Sequence, residues 1–311
     1  MHRLRTWQLI AISVLVWGTT WHAITYQIAA FPAELGVALR FALAGGSVLL
    51  FCRWRGVPLR FGPADHGMLA LQGVFLYGVS YVCVYHAERF VPSGLVAVGY
   101  SASPLLTAIG AALLFGTALR ARFAGGGALG IAGVALMFWP EITRPGDSDE
   151  AVFGAAFTAA AVLMSTVGSL TASRNRQRNL PLLPVLGFGM LYGAASAGLV
   201  ALTTGALSPL PTAPSWWLSL AYLAFAGSVL AFACFLTVQD RIGAGPAGTI
   251  GVMTPLIALV VSLVFEGFRP NALTFAGAVL AVAGNALMLL PASAAKEAPA
   301  ARTALPAAAR E

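Results

Sequence analysis

The sequence predicts an all-α membrane protein: ten transmembrane helices forming two inverted five-helix repeats, with both termini cytoplasmic. Three observations predict it: hydropathy, the placement of positive charge, and an internal repeat. Of 311 residues, 59% are hydrophobic and 9% are charged, with a mean hydropathy of +0.82. That is too little polar surface for a soluble fold of this size. A hydrocarbon core ~30 Å thick takes about 20 apolar residues per helix, so the chain holds roughly ten crossings and no sizeable extramembrane domain.

Charges, prolines and glycines punctuate the chain into spans near 7 to 25, 33 to 52, 68 to 86, 92 to 116 and 123 to 140. The second half gives spans near 152 to 173, 182 to 204, 216 to 239, 245 to 266 and 272 to 290. Arg3 and Arg5 ahead of an apolar run resemble the start of a cleavable leader. The run carries Trp17 and Trp21, however, and similar segments follow it, which makes it an uncleaved first helix. Ten spans place both ends on one side. Of the 18 Lys and Arg, that side receives 14, among them Arg53, Arg55, Arg60, Arg120, Arg122, Arg174, Arg176, Arg178 and Arg241. The other receives only Arg89, Arg144 and Arg269, leaving Arg40 inside a span. Positive charge near helix ends is retained in the cytoplasm, so the termini are expected there and the protein in the cell inner membrane. Trp7, Trp54, Trp139, Trp216 and Trp217 fall near span ends, as interfacial anchors do.

Sliding the chain by 151 residues aligns Gly94 with Gly245, Pro104 with Pro255, Gly116 with Gly267 and Pro140 with Pro291. From Gly94 to Pro140, 13 of 47 positions are identical, where about 5 are expected from composition. Because each half holds an odd number of helices, the second copy enters the membrane upside down, an architecture that puts a substrate site near the midplane between halves. The acidic stretch Asp147, Ser148, Asp149, Glu150 is the midpoint linker, dividing residues 1–146 from residues 147–291. Residues 292–311, rich in Ala with Pro and scattered charge, are expected to form a disordered cytoplasmic tail.

The basic balance of +7 does not make a nucleic-acid binder, because the cations are scattered among loops. Cys52, Cys83 and Cys234 lie within or beside apolar stretches without metal-like spacing, so neither a disulfide scaffold, a metal site nor a cofactor is expected.

Trp17, Gly18, Thr19, Thr20, Trp21 in the first span and Arg40, Phe41 in the second carry a family pattern. So do the Pro-containing fourth and ninth spans, each followed by a Gly-rich helix with Gly-Val-Ala-Leu-Met (133 to 137) or Gly-Asn-Ala-Leu-Met (284 to 288) and a closing Pro. Over about residues 7 to 291 the chain resembles the EamA family of the drug/metabolite transporter (DMT) superfamily, most closely its YddG-type exporters of aromatic and other amino acids. The resemblance implies ten helices in a basket around a central cavity, with the fifth and tenth peripheral to it.

Helix rise places Trp17, Tyr77, Tyr81, Tyr100 and Met164 toward the middle of the bilayer. A buried phenol needs a hydrogen-bond partner or water, so several at one depth suggest a wet cavity. Tyr77, Tyr81 and Tyr85 recur every four residues and form one stripe, continued by Gly73. The stripe lines a cavity or packs against neighbouring helices. Tyr100, Ser101 and Ser103 precede Pro104, which breaks the helix, and Pro255 repeats the break. With Gly94 and Gly245 they form a paired hinge, or two static kinks. His22 is either a proton relay or carboxylate contact, or a neutral histidine bonded locally. Arg40, the one full charge deep in a span, either attracts an anion or serves structure.

Glu34, Glu88 and Glu266 fall near span ends, so no midplane carboxylate serves a proton- or sodium-driven pump, and facilitated diffusion or exchange is the simpler expectation. Gly99, Tyr100, Ser101, Ala102, Ser103 partly imitates a hydrolase nucleophile turn but lacks its last Gly, so no enzyme is expected. The small-residue spacings Gly126/Gly130 and Gly189/Gly193 suit close helix packing whatever the function. The expectation is a secondary transporter that exports small metabolites, amino acids above all. Trp17, Tyr77, Tyr81, Tyr100 and Met164 are its expected wall, and Ser101 and His22 its hydrogen-bonding groups. The alternatives are an exchanger of nucleotide sugars or other anionic metabolites, and a drug efflux carrier. A monomer suits such a carrier, its partners being the small-molecule substrate and the lipid bilayer.

Overall fold

The computed structural model describes residues 4–116, 121–143, 148–242 and 247–289. Among them ten helices follow one another. They are α1 Thr6–Ile28, α2 Ala33–Trp54, α3 Pro63–Ala87, α4 Ser93–Phe115 and α5 Ala121–Ile142, then α6 Ser148–Gln177, α7 Leu182–Thr204, α8 from Pro214 to Ile242, α9 Thr249–Phe265 and α10 Ala272–Leu289. No strand occurs among the described residues. The first eight helices are long and apolar enough to cross a membrane, while α9 and α10 are apolar but shorter. Pro32, Pro92 and Pro181 precede α2, α4 and α7, where a missing N–H costs nothing. Gly116 (φ 65°) and Gly205 (φ 67°) close α4 and α7 in the left-handed conformation that a side chain disfavours. Asp149 and Glu150, expected in the linker, instead open the first turn of α6, where the helix dipole favours negative charge.

Packing repeats itself when each helix is replaced by the one five places on. α1 packs on α8 and α9, as α6 packs on α3 and α4; α2 pairs with α7 and α5 with α10. The self-paired contacts are the closest. Gly45 in α2 faces the backbone of Gly187 in α7, and Gly126 and Gly133 in α5 face Gly284 and Gly277 in α10. At these positions a Cβ would meet the opposite backbone, so the glycines set the approach of the rods. Leu50, Leu113, Leu199, Leu202, Leu218 and Phe275 are turned outward, which suits acyl chains rather than water.

Consecutive helices alternate in direction and separate the charges. Arg5, Arg53, Arg55, Arg60, Arg174, Arg176, Arg178 and Arg241 lie at one face, tied by Arg178 to Asp65 (3.2 Å) and by Arg241 to the Leu4 carbonyl (2.7 Å). Glu34, Glu88 and Glu266 lie at the other, with Arg89 and Arg269. Trp7, Trp54, Trp139 and Trp217 are exposed, as anchors should be. Trp216 is not: it is buried against Phe31, with ring centroids 4.9 Å apart, because the first turn of α8 tucks beneath the loop before α2.

Candidate functional site

The helices leave a cavity of about 770 Å³ between the halves. α1 contributes Trp17, Thr20, Trp21 and Ile24; α3 contributes Gln72, Leu76, Tyr77 and Tyr81; α8 contributes Phe232, Phe235, Leu236 and Gln239. α4 presents Tyr100, Ser101, Ser103, Pro104 and Thr107, α6 presents Ser169, Ser173 and Arg176, and α9 presents Thr254 and Pro255. None of the lining residues belongs to α5 or α10. Arg176 and Gln239 lie near the helix ends at the arginine-rich face, whereas the glutamates of the opposite face contribute nothing to the wall.

Two local irregularities shape the wall. π-helical segments interrupt α3 at Val74–Val79 and α8 at Tyr222–Leu230, equivalent helices of the two halves. A π segment adds residues to a turn and rotates the face beyond it. The expected tyrosine stripe is divided all the same: Tyr77 and Tyr81 line the cavity, Tyr85, one turn of regular helix beyond Tyr81, is buried against Gly36, and Gly73 faces α7. In α8 the segment brings the Gly227 carbonyl to Trp17, whose Nε1–H donates to it at 2.9 Å. The Trp17 ring then stands edge-on to Phe232 at 5.0 Å. α4 breaks at Ser101 and Ala102, ahead of Pro104, whereas Pro255 sits inside an unbroken helix.

The polar tips of the wall are satisfied by neighbours. Tyr100 Oη lies 3.1 Å from Ser80 Oγ, which donates to the Ala161 carbonyl at 2.9 Å. Ser103 Oγ lies 3.1 Å from Ser165 Oγ, and Asn175 Nδ2 donates to Gln72 Oε1 at 2.9 Å. Arg40 is buried at the wall, with its guanidinium carbon 4.8 Å from the Tyr81 ring centre and 5.0 Å from that of Phe41. Its Nε donates to Ser228 Oγ at 3.3 Å, and its Nη1 has no hydrogen-bond partner among the described residues.

The structure therefore brings Trp17, Tyr77, Tyr81, Tyr100, Ser101, Pro104 and Pro255 to one cavity, and leaves out three of the expected residues. Met164 is on α6 but not on the wall. His22 is near the opposite face, Nδ1 2.9 Å from Glu266 Oε1. Gly94 faces Leu259 and Ser262 of α9. Gly245 lies outside the described residues. Ser101 Oγ donates to the Val98 carbonyl at 2.5 Å, and no histidine of the described residues is hydrogen-bonded to it. Phe232 and Phe235 escaped the sequence reading, though their spacing of three on an apolar helix, with Leu236 and Gln239 one turn on, marks a single face.

Beyond the cavity wall, toward the glutamate face, a hydrogen-bonded cluster ties three helices together. Glu266, just past α9, accepts from the Ser93 backbone N–H at 3.0 Å and from Ser262 Oγ at 2.8 Å. Ser93 Oγ donates to it at 2.5 Å, and His22 of α1 completes the cluster. One carboxylate thus joins α1, α4 and α9, placed at the N-terminus of α4 where the helix dipole favours an anion. Beside it, His86 Nε2 lies 2.7 Å from Glu34 Oε1 and joins α3 to α2. Glu34 and Glu88 end their spans but are buried. Burial first, and the nearby Glu266 second, push the Glu88 carboxyl well above the usual carboxylate range. Neither Glu88 oxygen has a hydrogen-bond partner among the described residues.

A model of the EamA-like transporter family matches residues 5–139 and, a second time, residues 152–290. An uncharacterized inner membrane transporter, YedA of Escherichia coli K12, is 28% identical over 257 residues, covering 79% of this chain and 78% of its own. A probable amino-acid metabolite efflux pump of Salmonella typhimurium is 24% identical over 291 residues, covering 89% and 92%. One crystal structure of a protein matches with a TM-score of 0.65 at 23% identity, covering 91% of this chain and 96% of that one, which shows the fold.

Proposed function

Because the chain belongs to the EamA-like transporter family of inner-membrane proteins, we propose that it exports small metabolites, amino acids with aromatic or apolar side chains foremost. The observation that carries this reading is the 770 Å³ cavity walled by Trp17, Trp21, Tyr77, Tyr81, Tyr100, Phe232 and Phe235. Such a wall binds apolar side chains by stacking and area burial while its hydroxyls orient polar ends. The name of the Salmonella relative, a probable amino-acid metabolite efflux pump, points the same way.

The ten helices are read as ten spans in two inverted halves, residues 1–146 and 147–291, with the arginine-rich face in the cytoplasm. In this state the cavity opens to that face, and the Glu266 cluster closes the other. Export then consists of loading from the cytoplasm, parting of the seal, and closure around Pro104 and the arginine-rich ends. Buried carboxylates stand at the seal and not on the cavity wall, which supports facilitated diffusion or exchange over pumping.

Counterflow of labelled L-phenylalanine, L-leucine and L-glutamate into proteoliposomes tests the reading. Phenylalanine and leucine are expected to exchange, and Tyr81→Ala to slow phenylalanine about tenfold, the loss of about 1.4 kcal/mol of binding. Exchange of none of the panel, with passage of drug-like cations instead, overturns the substrate class.

A further inference from the structure

Arg40 is a permanent charge buried to 2% exposure, and such a group deep in a helix is costly unless partners compensate it. The groups in contact with it are uncharged. Phe41 and Tyr81 offer ring faces, Ser228 offers one hydroxyl oxygen, and the buried Tyr85 phenol stands near enough to interact with the guanidinium. Nη1 is left without an acceptor, and no carboxylate of the described residues hydrogen-bonds to it. Glu88, buried and without a hydrogen-bond partner among the described residues, lies within electrostatic reach of Arg40 but is not hydrogen-bonded to it. The side chain forms part of the cavity wall, one residue from Phe41 and across from Thr20 and Trp21 of α1. Arg176, exposed where the cavity meets the arginine-rich face, supplies a second cation at the mouth. In the inner wall Arg40 is the one cation among the lining residues, which suits a single carboxylate, since a phosphorylated or nucleotide-bearing solute carries more charge than one guanidinium neutralises.

We propose that Arg40 is the carboxylate-docking residue of the cavity, its guanidinium donating to a carboxylate oxygen of the solute while the aromatic wall receives the side chain. The inference rests on the reading that this cavity carries amino-acid-like metabolites, and it names what selects them: the anionic end, not the ammonium. Tyr81 then serves twice, fixing the guanidinium by its ring and bordering the solute.

The test uses purified full-length protein and two probes of equal shape, phenylacetate and phenylacetamide, read by quenching of tryptophan fluorescence, since Trp17 and Trp21 line the cavity. Phenylacetate is expected to bind at least tenfold more tightly than phenylacetamide. Arg40→Gln should bring the two within about twofold of each other, and Arg40→Lys should keep most of the preference. If Arg40→Gln does not fold, the wild-type preference and its survival in Arg40→Lys decide. No binding of phenylacetate, equal binding of both probes by the wild type, or an undiminished preference in Arg40→Gln each overturns the assignment. Phenylalanine counterflow separates the two readings. Failed counterflow with the phenylacetate preference intact sinks the amino-acid reading alone, and working counterflow without the preference sinks Arg40 alone.

Discussion

At the residue scale the most consequential side chain outside the cavity is Glu266. It receives hydrogen bonds from Ser93 and Ser262 and faces His22, so α1, α4 and α9 meet on one group. Hydrogen bonds to a charged group contribute about 1.5–3 kcal/mol each, while a neutral amide contributes about half and must turn one donor toward donors. Glu266→Gln should therefore weaken the seal without emptying a core position. With Cys52, Cys83 and Cys234 replaced, a cysteine at Thr20 on the cavity wall reports the change. Its alkylation by an impermeant maleimide from the glutamate face should be slow in the parent and at least fivefold faster with Glu266→Gln. An unchanged rate means that the cluster is not what closes this face. His22, expected as a solute contact or a locally bonded group, meets the Glu266 carboxylate instead of the cavity.

At the scale of elements, α4 and α9 show how equivalent helices diverge. Both carry a proline at the same register, yet α4 is interrupted at Ser101 and Ala102 and α9 is continuous through Pro255. A proline removes one backbone hydrogen bond in either helix. In α4 Ser101 bonds the Val98 carbonyl and Ser103 reaches across to Ser165 of α6, whereas in α9 Thr254 bonds the Ile250 carbonyl of its own helix, which stays continuous. If the break lets the two ends of α4 move separately, Pro104→Ala should slow phenylalanine counterflow about fivefold, roughly 1 kcal/mol of barrier, with equilibrium binding nearly unchanged. Pro255→Ala should cost less than half of that. Equal losses in both variants, or a loss of binding alone, would favour static kinks.

At the scale of the whole molecule, hydropathy and charge made the helices legible to within a few residues at most ends, because a rod that must satisfy its own backbone in lipid leaves few alternatives. The site was legible where depth alone decides, as for Trp17, Tyr77, Tyr81 and Tyr100. Facing was not: Tyr85, one α-helical turn beyond Tyr81, is buried in the core, and nothing in the local sequence turned Met164 away from the wall. The same distinction between depth and facing governs stability. α5 and α10 touch no part of the cavity, yet they make the closest helix pair, Gly133 of one lying against the backbone of Gly277 and Ala281 in the other. Without a hydrophobic force between rods in lipid, that approach is held by packing, which a side chain at Gly133 would pry open. Gly125, on the same helix, has open space around it. Gly133→Leu should therefore destabilise by about 1–3 kcal/mol, the range for overpacked positions, while Gly125→Leu should be neutral. Thermal unfolding in detergent is expected to show a lower midpoint for the first variant only. Phenylalanine counterflow measured well below that midpoint should match the parent for both. A loss of transport in a Gly133→Leu protein that stays folded would instead make the α5–α10 pair part of the moving machinery.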